Sequence, residues 1–207
     1  MAAGLYWLAS YPKSGNTWTR SFLRALESPE QDVDINQLET GAIASLRSWI
    51  ETGSGLSLDE CSQREIELVR PMAYKFWHQQ CTQPQFHKVH DAYVLNDQAE
   101  PVFPANAAAG VLYIARHPFD VAVSLANHMH SSLQHAVDLM CDDDYRLARF
   151  KNGSNAQVEQ RLLNWSRHVE SWLQSPHHLL LVKYEDMQQR PQETFGGMAE
   201  FLGFQKS

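Results

Sequence analysis

Cysteine is scarce in this sequence and is spread thinly along it. The 207 residues include three cysteines, Cys61, Cys81 and Cys141, and no two of them form a CxxC or any other close pair. Such spacing fits neither a disulfide framework nor a zinc site. Unpaired structural thiols suit a reducing compartment, so we expect a cytoplasmic protein.

Long apolar runs and an excess of positive charge are also missing. No apolar stretch approaches the roughly 20 residues that cross a bilayer, and the N-terminal run Leu5 to Ala9 is too short for a signal peptide. We therefore expect no membrane span. The formal net charge of −7 argues against a general nucleic-acid binder, because such proteins carry a basic excess. A small anionic ligand at a locally basic site is still compatible with this charge.

Four short apolar runs predict the strands of a sheet. They are Leu5–Ala9, Phe86–His90, Val111–Ala115 and Leu179–Val182. The first, third and fourth are almost continuously apolar, as expected of strands covered on both faces. Apolar stripes at helical spacing accompany them: Trp18, Phe22 and Leu26; Leu162, Trp165, Val169 and Trp172; and Phe195, Met198, Ala199 and Leu202. The alternation predicts an α/β fold with a central parallel sheet flanked by helices.

Two stretches have the composition of irregular structure. Glu51 to Asp59 is rich in glycine and serine, and Asp142 to Asn155 combines an acidic run with Lys151-Asn152-Gly153-Ser154. We interpret the second stretch as a mobile loop. We find no domain-boundary linker and no internal repeat, so the sequence predicts a single domain.

The segment Ser10-Tyr11-Pro12-Lys13-Ser14-Gly15-Asn16-Thr17-Trp18 follows the first predicted strand and opens a helix. Backbone amides at a helix N-terminus are unpaired and bind phosphate or sulfate. Gly15 lets the backbone approach an anion closely. Lys13 adds a positive charge, and Ser14 and Thr17 add hydroxyl donors. The segment therefore predicts an anion-binding loop at a strand end, where ligands of α/β sheets bind.

Two other interpretations of this loop stay open. It could be a simple strand-to-helix turn capped by Ser14 or Asn16, with Lys13 in solvent. A nucleotide-hydrolysing loop is the other interpretation. It is weakened because the segment does not follow the Walker pattern GxxxxGK[ST], since its lysine precedes its glycine.

A second strand-to-helix junction has the same layout. The third predicted strand ends at Arg116, and Pro118 stands where a helix begins, with Asp120 in its first turn. An arginine at a strand end can form two parallel hydrogen bonds to a phosphate. Ser124 lies on the same helix face as Asp120. Alternatively, Arg116 forms a surface salt bridge and Ser124 is an ordinary hydroxyl inside the helix.

Among the 10 histidines, His90 stands out because Lys88-Val89-His90 closes the second predicted strand. A histidine suits a general base, since its unperturbed pKa of about 6.5 lies near working pH. The group His128, His130 and His135 has no acidic partner, so we expect no metal site there.

These segments together resemble the cytosolic sulfotransferase family. Tyr11 to Trp18 is similar to the family's 5′-phosphosulfate motif, and Arg116 followed eight residues on by Ser124 is similar to its 3′-phosphate motif. Lys88-Val89-His90 is similar to its catalytic segment. The resemblance implies a P-loop-like fold and a metal-free reaction. In that reaction a sulfuryl group passes from 3′-phosphoadenosine 5′-phosphosulfate (PAPS) to an acceptor hydroxyl, which leaves 3′,5′-adenosine bisphosphate.

The resemblance also implies a role for each site residue. The residues that would hold the 5′-phosphosulfate are Lys13, Ser14, Gly15, Asn16 and Thr17. Arg116 and Ser124 would bind the 3′-phosphate. His90 would be the general base, and Lys13 would also stabilise charge on the leaving phosphate.

The resemblance also implies that two aromatic residues lie at the adenine of PAPS. Trp18 would stack on the base, and Tyr184 of the segment Tyr184-Glu185-Asp186 would lie near it. Each has a structural alternative: Trp18 could be the first core residue of its helix, and Tyr184 could simply complete the core.

The sequence departs from the family pattern in two places. Asp91-Ala92-Tyr93 follows His90, where the family often has leucine and proline, and this change is expected to reshape the acceptor pocket. The family's Arg-Lys-Gly segment, which closes over the 3′-phosphate, is missing before Ser207. We therefore expect residues 1–207 to be a single sulfotransferase domain without the usual C-terminal segment, which would weaken donor binding.

The acceptor and the partners are the least specified expectations. We expect a small-molecule acceptor, with an alcohol or a phenol as the default and an amine or a sugar left open. A homodimer is also left open. Two rival functions also stay open. One is a P-loop-like nucleotide kinase or hydrolase, and the other is a nucleotide-binding module without catalysis.

Overall fold

The computed structural model describes residues 2–28, 30, 32, 34, 42–149 and 156–204. In chain order, the helices and strands of these residues are β1 (Gly4–Ser10), α1 (Asn16–Glu27), α2 (Arg47–Ser54), α3 (Gln63–Gln80), β2 (Pro84–Val89), β3 (Gly110–Ala115), α4 (Pro118–Met129), α5 (Leu133–Cys141), β4 (Arg146–Leu147), β5 (Gln160–Arg161), α6 (Trp165–Leu173), β6 (Leu179–Lys183), α7 (Tyr184–Gln189) and α8 (Pro191–Phe201). A short 3-10 turn at Ala105–Ala107 precedes β3.

Four parallel strands form the central sheet in the order β2-β1-β3-β6. All four predicted strands are present, and the predicted α/β class is confirmed. Every residue of β1 is buried because this strand has a neighbour on each side. In the register of the sheet, Ala9 lies opposite Val89 on one side and Tyr113 on the other. The carboxyl ends of the strands therefore meet at one edge.

Helices cover both faces of the sheet. Because side chains alternate along a strand, Leu5, Trp7 and Ala9 of β1 pack on one face with residues of α2, α3 and α6. Tyr6 and Leu8 pack on the opposite face with residues of α1, α7 and α8. The result is a three-layer arrangement with an apolar core on each side of the sheet, and a third apolar cluster lies around α4 and α5.

The fourth predicted strand, β6, is not covered on both faces as the sequence predicted. β6 is an edge strand, and Leu181 is 38% exposed. An apolar run in the sequence cannot distinguish an edge strand from a central one, because the difference lies in the neighbours that the fold supplies.

The predicted apolar stripe of α1 is also shifted. Its buried residues are Asn16, Thr19 and Leu23 rather than Trp18 and the residues at four-residue spacing after it. Asn16 is buried because its amide nitrogen donates to the Leu8 carbonyl oxygen at 2.8 Å and to Ser10 Oγ at 3.2 Å. This anchoring turns Trp18 away from the core.

The two stretches predicted to be irregular are partly helical or paired. Residues Glu51 to Ser54 belong to α2, which ends at Gly55 in the left-handed conformation (φ 71°). The prediction is therefore wrong for Glu51 to Ser54 and confirmed for Gly55 to Asp59, which lie outside any helix or strand. In the second stretch, β4 pairs with β5, and residues 150–155 lie outside the described residues.

Candidate active site

Each strand of the central sheet delivers one predicted site residue just beyond its carboxyl end. The loop with Lys13 follows β1, His90 follows β2, Arg116 follows β3, and Tyr184 follows β6. All four line one cavity of about 1030 Å³, together with Gly15, Asn16, Thr17, Trp18 and Ser124. The fold thus gathers residues that are up to 171 positions apart in the chain because parallel strands end at a common edge.

The loop after β1 leaves the first turn of α1 free of side-chain caps. The N-cap residue is Gly15 in the left-handed conformation (φ 106°), and no side-chain cap hydrogen bond is formed. Capping by Ser14 or Asn16, which the sequence left open, is therefore not observed. Uncapped amides at a helix N-terminus are the arrangement that binds an anion.

Ser14 and Asn16 have different environments within this loop. The Asn16 amide group binds the end of β1, so the contact with a ligand expected of Asn16 would have to come from its backbone. Ser14 is buried, and its hydroxyl has no hydrogen-bond partner among the described residues. A buried polar atom without a partner is unusual and is consistent with a site built for a ligand.

Tyr184 closes one side of the loop. A Cβ atom placed on Gly15 would lie 2.6 Å from Tyr184 Cδ2, so only glycine fits beside this ring. Trp18 meets the same ring edge-on, with centroids 5.9 Å apart. Tyr184 packs against the core and also lines the cavity, so its structural role in the core leaves its ring accessible to a ligand. Trp18 is 38% exposed in the cavity wall, so it is not a core residue.

Arg116 joins the end of β3 to the loop after β1. Its Nη1 donates to the Lys13 carbonyl oxygen at 3.1 Å, and the guanidinium carbon lies 4.4 Å from the Tyr184 ring centroid. Its Nε is buried without a partner among the described residues. Ser124 of α4 lines the same cavity, so the two residues of the second predicted anchor are brought together.

His90 is held in one tautomer at the end of β2. Its Nδ1 lies 2.8 Å from the Ser10 carbonyl oxygen. Since a carbonyl oxygen only accepts, Nδ1 carries the hydrogen and Nε2 keeps its lone pair. Burial, followed by the positive charge of Lys88, lowers the pKa of His90 to about 3. The imidazole is therefore neutral, and its Nε2 lone pair is unprotonated.

The electrostatics of the cavity are positive. Lys13, Lys88 and Arg116 line it, and no aspartate or glutamate is among its described lining residues. Burial, with added repulsion from Arg20 and Lys13, lowers the pKa of Lys88. A cationic cavity on a chain of net charge −7 concentrates anionic ligands locally.

Sequence reasoning missed the apolar wall of the cavity. This wall consists of Leu125, Met129, Tyr145 and Leu147. Leu125 and Met129 are four residues apart on α4, so they share a helix face, which is a signal that could have found them. Tyr145 and Leu147 carry no such signal, because the segment around β4 reaches the cavity only in the folded chain.

The described residues contain no group of three His, Cys, Asp or Glu side chains that could hold a metal ion. His128 lines the cavity, whereas His130 and His135 do not. Cys61, Cys81 and Cys141 are all unpaired. Across the described residues, no helix is both long enough and apolar enough to cross a membrane.

Comparison with known proteins identifies the class that this fold and cavity define. The model of the sulfotransferase domain family matches residues 5–207, so the chain belongs to this family. Cytosolic sulfotransferase 13 of Arabidopsis thaliana is 26% identical over 200 residues, which cover 95% of this chain and 53% of that protein. Sulfotransferase 1A1 of Canis lupus familiaris is 26% identical over 205 residues, which cover 95% of this chain and 58% of that protein. The chain spans just over half the length of these relatives.

Solved structures support the fold. Mouse sulfotransferase SULT7A1 complexed with PAP matches all of this chain and 61% of that protein, with a TM-score of 0.56 at 18% identity. Retinol dehydratase in complex with androsterone and PAP matches 98% of this chain and 60% of that protein, with a TM-score of 0.55 at 20% identity. The predicted P-loop-like α/β fold is confirmed.

Proposed function

We propose that this protein transfers a sulfuryl group from PAPS to the hydroxyl of a small-molecule acceptor. The observation that carries the proposal is that a neutral histidine, an uncapped helix N-terminus and Arg116 line one cationic cavity. Membership of the sulfotransferase domain family supports it. So does the PAP named in the related structures of mouse SULT7A1 and retinol dehydratase.

The residues of the cavity fit the two anionic ends of PAPS. For the 5′-phosphosulfate, the loop offers the Lys13 ammonium, the Ser14 and Thr17 hydroxyls and the first-turn amides of α1. Arg116 and Ser124 would bind the 3′-phosphate through charge-assisted hydrogen bonds. Trp18 and Tyr184 present aromatic rings in the same wall for the adenine. The buried Ser14 hydroxyl has no partner in the described structure, but Ser14 is not among the residues that line the cavity.

The chemistry assigned to the protein is positioning and proton transfer. The donor supplies the sulfuryl group and leaves as 3′,5′-adenosine bisphosphate. His90 Nε2 accepts the proton of the acceptor hydroxyl as that oxygen attacks sulfur. Lys13 and the helix amides stabilise the negative charge that grows on the bridging oxygen of the leaving phosphate. The Ser10 carbonyl oxygen stabilises the histidine in the tautomer that this step needs.

The acceptor, the domain organisation and the location follow the same reasoning. The apolar wall of Leu125, Met129, Tyr145 and Leu147 supports an alcohol or phenol with an apolar body as the acceptor. We treat residues 1–207 as one domain, in line with the match over residues 5–207. A cytoplasmic location is supported by the cytosolic relative from Arabidopsis thaliana.

Titration with 3′,5′-adenosine bisphosphate tests the donor site directly. A ligand that binds only the folded state adds about 2.7 kcal/mol to stability at 100 times its dissociation constant. We therefore expect the melting temperature to rise with the logarithm of bisphosphate concentration and to stay unchanged with ATP and magnesium. Stabilisation by ATP and magnesium alone would instead support a kinase or hydrolase.

Substitution of Gly15 is expected to damage the loop. The Gly15→Ala variant places a Cβ 2.6 Å from Tyr184 Cδ2 at a φ of 106°. Such backbone strain costs about 1–3 kcal/mol. We expect a lower melting temperature and bisphosphate affinity reduced at least about tenfold, measured by calorimetry.

Gly196→Ala is the matched control for this variant. A Cβ at Gly196 meets no atom within 4 Å, and alanine in a helix is favoured over glycine by roughly 0.5–1 kcal/mol. The control should keep full bisphosphate affinity and gain slight stability. Equal melting temperatures and equal bisphosphate affinities in the two variants would show that the close packing of Gly15 on Tyr184 does not support the loop.

A further inference from the structure

A fully buried ion pair lies directly beside His90. Asp91, the next residue, accepts two hydrogen bonds from Arg70 of α3, each 2.8 Å long. Both side chains are only 1% exposed. This pair lies where the sequence departs from the sulfotransferase family pattern, since Asp91-Ala92-Tyr93 follows the histidine.

Arg70 is itself held rigidly in the core. Its Nε donates to the Tyr74 hydroxyl oxygen at 2.8 Å, and that hydroxyl donates to the Ala44 carbonyl oxygen at 2.9 Å. The guanidinium carbon lies 5.1 Å from the ring centroid of Phe103. The carboxylate of Asp91 is therefore bound to a partner that cannot easily move.

The backbone that carries His90 is also held by α6. His168 Nε2 lies 3.1 Å from the His90 carbonyl oxygen, and Trp172 Nε1 donates to the Asp91 carbonyl oxygen at 2.9 Å. These contacts begin where the pairing of β2 has ended at Val89. The Ser10 carbonyl oxygen of β1 holds the His90 ring directly, whereas side chains from α3 and α6 hold the backbone and side chain that follow it.

Stability alone is a weak reason for this ion pair. Replacing a buried ion pair with apolar residues is often neutral or stabilising, because two charges must be removed from water. A bidentate arginine–carboxylate contact, by contrast, fixes direction as well as distance. The pair also has no net charge, so it leaves the positive potential around His90 intact.

We propose that Arg70 and Asp91 are positioning residues that hold the His90 imidazole in the orientation required for proton removal. The proposal rests on the proposed function, in which His90 is the general base. Neither residue lines the cavity, so both act through the backbone of His90 and not on the substrate.

The double variant Arg70→Met/Asp91→Leu tests this role without leaving an unpaired buried charge. We expect its melting temperature and bisphosphate affinity to match those of the original protein. We expect kcat to fall at least about tenfold with little change in KM, because small misplacements of a catalytic group can cost up to about 10²-fold. The change in kcat without a change in binding separates positioning from general destabilisation.

Nitrogen-15 spectra of the histidine rings provide a second readout that does not depend on turnover. The original protein should show His90 in a single tautomer with hydrogen on Nδ1. The double variant should show a broadened or mixed signal. His90→Asn assigns the resonance by its disappearance.

Lys75→Met/Glu100→Leu is the matched control. This variant removes a partly exposed ion pair between Lys75, which lies on the same helix as Arg70, and Glu100. The nitrogen–oxygen distance in that pair is 2.7 Å. This control should keep full kcat and the single tautomer.

Unchanged kcat and an unchanged His90 signal in the Arg70→Met/Asp91→Leu variant would overturn the proposal while leaving the general base in place. Loss of turnover in that variant but full turnover in His90→Asn would overturn the base assignment itself. If the double variant does not fold, Arg70→Lys keeps the charge and removes the two-point contact. It should show the same loss of kcat, and full turnover in it would overturn the proposal.

Discussion

The His90→Asn variant is expected to lose turnover by about 10²–10⁴-fold, the usual contribution of a general base. Asparagine keeps an N–H group that can donate to the Ser10 carbonyl oxygen, which now accepts from His90 Nδ1 at 2.8 Å. It cannot replace the lone pair of Nε2. The affinity for 3′,5′-adenosine bisphosphate should therefore stay unchanged, and kcat should fall with KM nearly constant.

His135→Asn is the matched control for this experiment. His135 is exposed on α5, outside the cavity, and its replacement should leave kcat unchanged. Loss of bisphosphate binding together with retained turnover in His90→Asn would contradict the assignment of His90 as the base. Initial rates with PAPS and a panel of phenols and alcohols provide the measurement.

Acidification is expected to destabilise the protein steeply below pH 6.5. His87, His90 and His168 are buried, and burial lowers their pKa values to about 4, 3 and 4. In the unfolded chain, histidine titrates near 6.5. The unfolded state therefore binds protons first as the pH falls, so the contribution of these groups is complete above pH 6.5 and is lost towards pH 3–4.

The size of the acid effect follows from the number of groups. Between pH 6.5 and the folded-state pKa, each histidine lowers the free energy of unfolding by about 1.4 kcal/mol per pH unit. The three together lower it by roughly 6 kcal/mol at pH 5. Because whole domains are stable by only about 5–15 kcal/mol, we expect unfolding near pH 5 at room temperature. Chemical denaturation at a series of pH values between 5 and 8 measures how the free energy of unfolding changes with pH.

Two variants separate the buried histidines from general acid sensitivity. His87 lies away from the cavity, with Nδ1 2.9 Å from the Ala42 carbonyl oxygen. The His87→Asn variant should remove about a third of the contribution that His87, His90 and His168 make together to the pH dependence. The exposed His135→Asn variant should leave it unchanged. A flat stability profile between pH 5 and 7 would show that these histidines are not buried as neutral groups.

Much of the fold and the site could be predicted because their signals are local. The strands follow from apolar runs, and the loop around Gly15 and the junction at Arg116 are short motifs between a strand and a helix. A parallel sheet then implies that residues after strand ends lie at one edge. The resemblance to the sulfotransferase family assigned Lys13, His90, Arg116 and Tyr184 to one site, and the structure brings all four to one cavity.

Other features had no local signal. Arg70 and Asp91 are 21 positions apart, and nothing in either segment shows that their charges meet in the core. The exposure of Leu181 depends on the position of β6 at the sheet edge. Trp18 faces the cavity because Asn16 occupies the core side of α1. In each case the deciding contact is tertiary.

The amino-acid sequence by itself determined the class of this protein, because its anion-binding loop and its strand-to-helix junctions are encoded in consecutive residues. Tertiary structure alone decided how the site is held. The tautomer of His90 and the anchoring of its backbone both depend on hydrogen bonds between distant segments. Such bonds form only when folding removes these groups from water and brings their partners within about 3 Å.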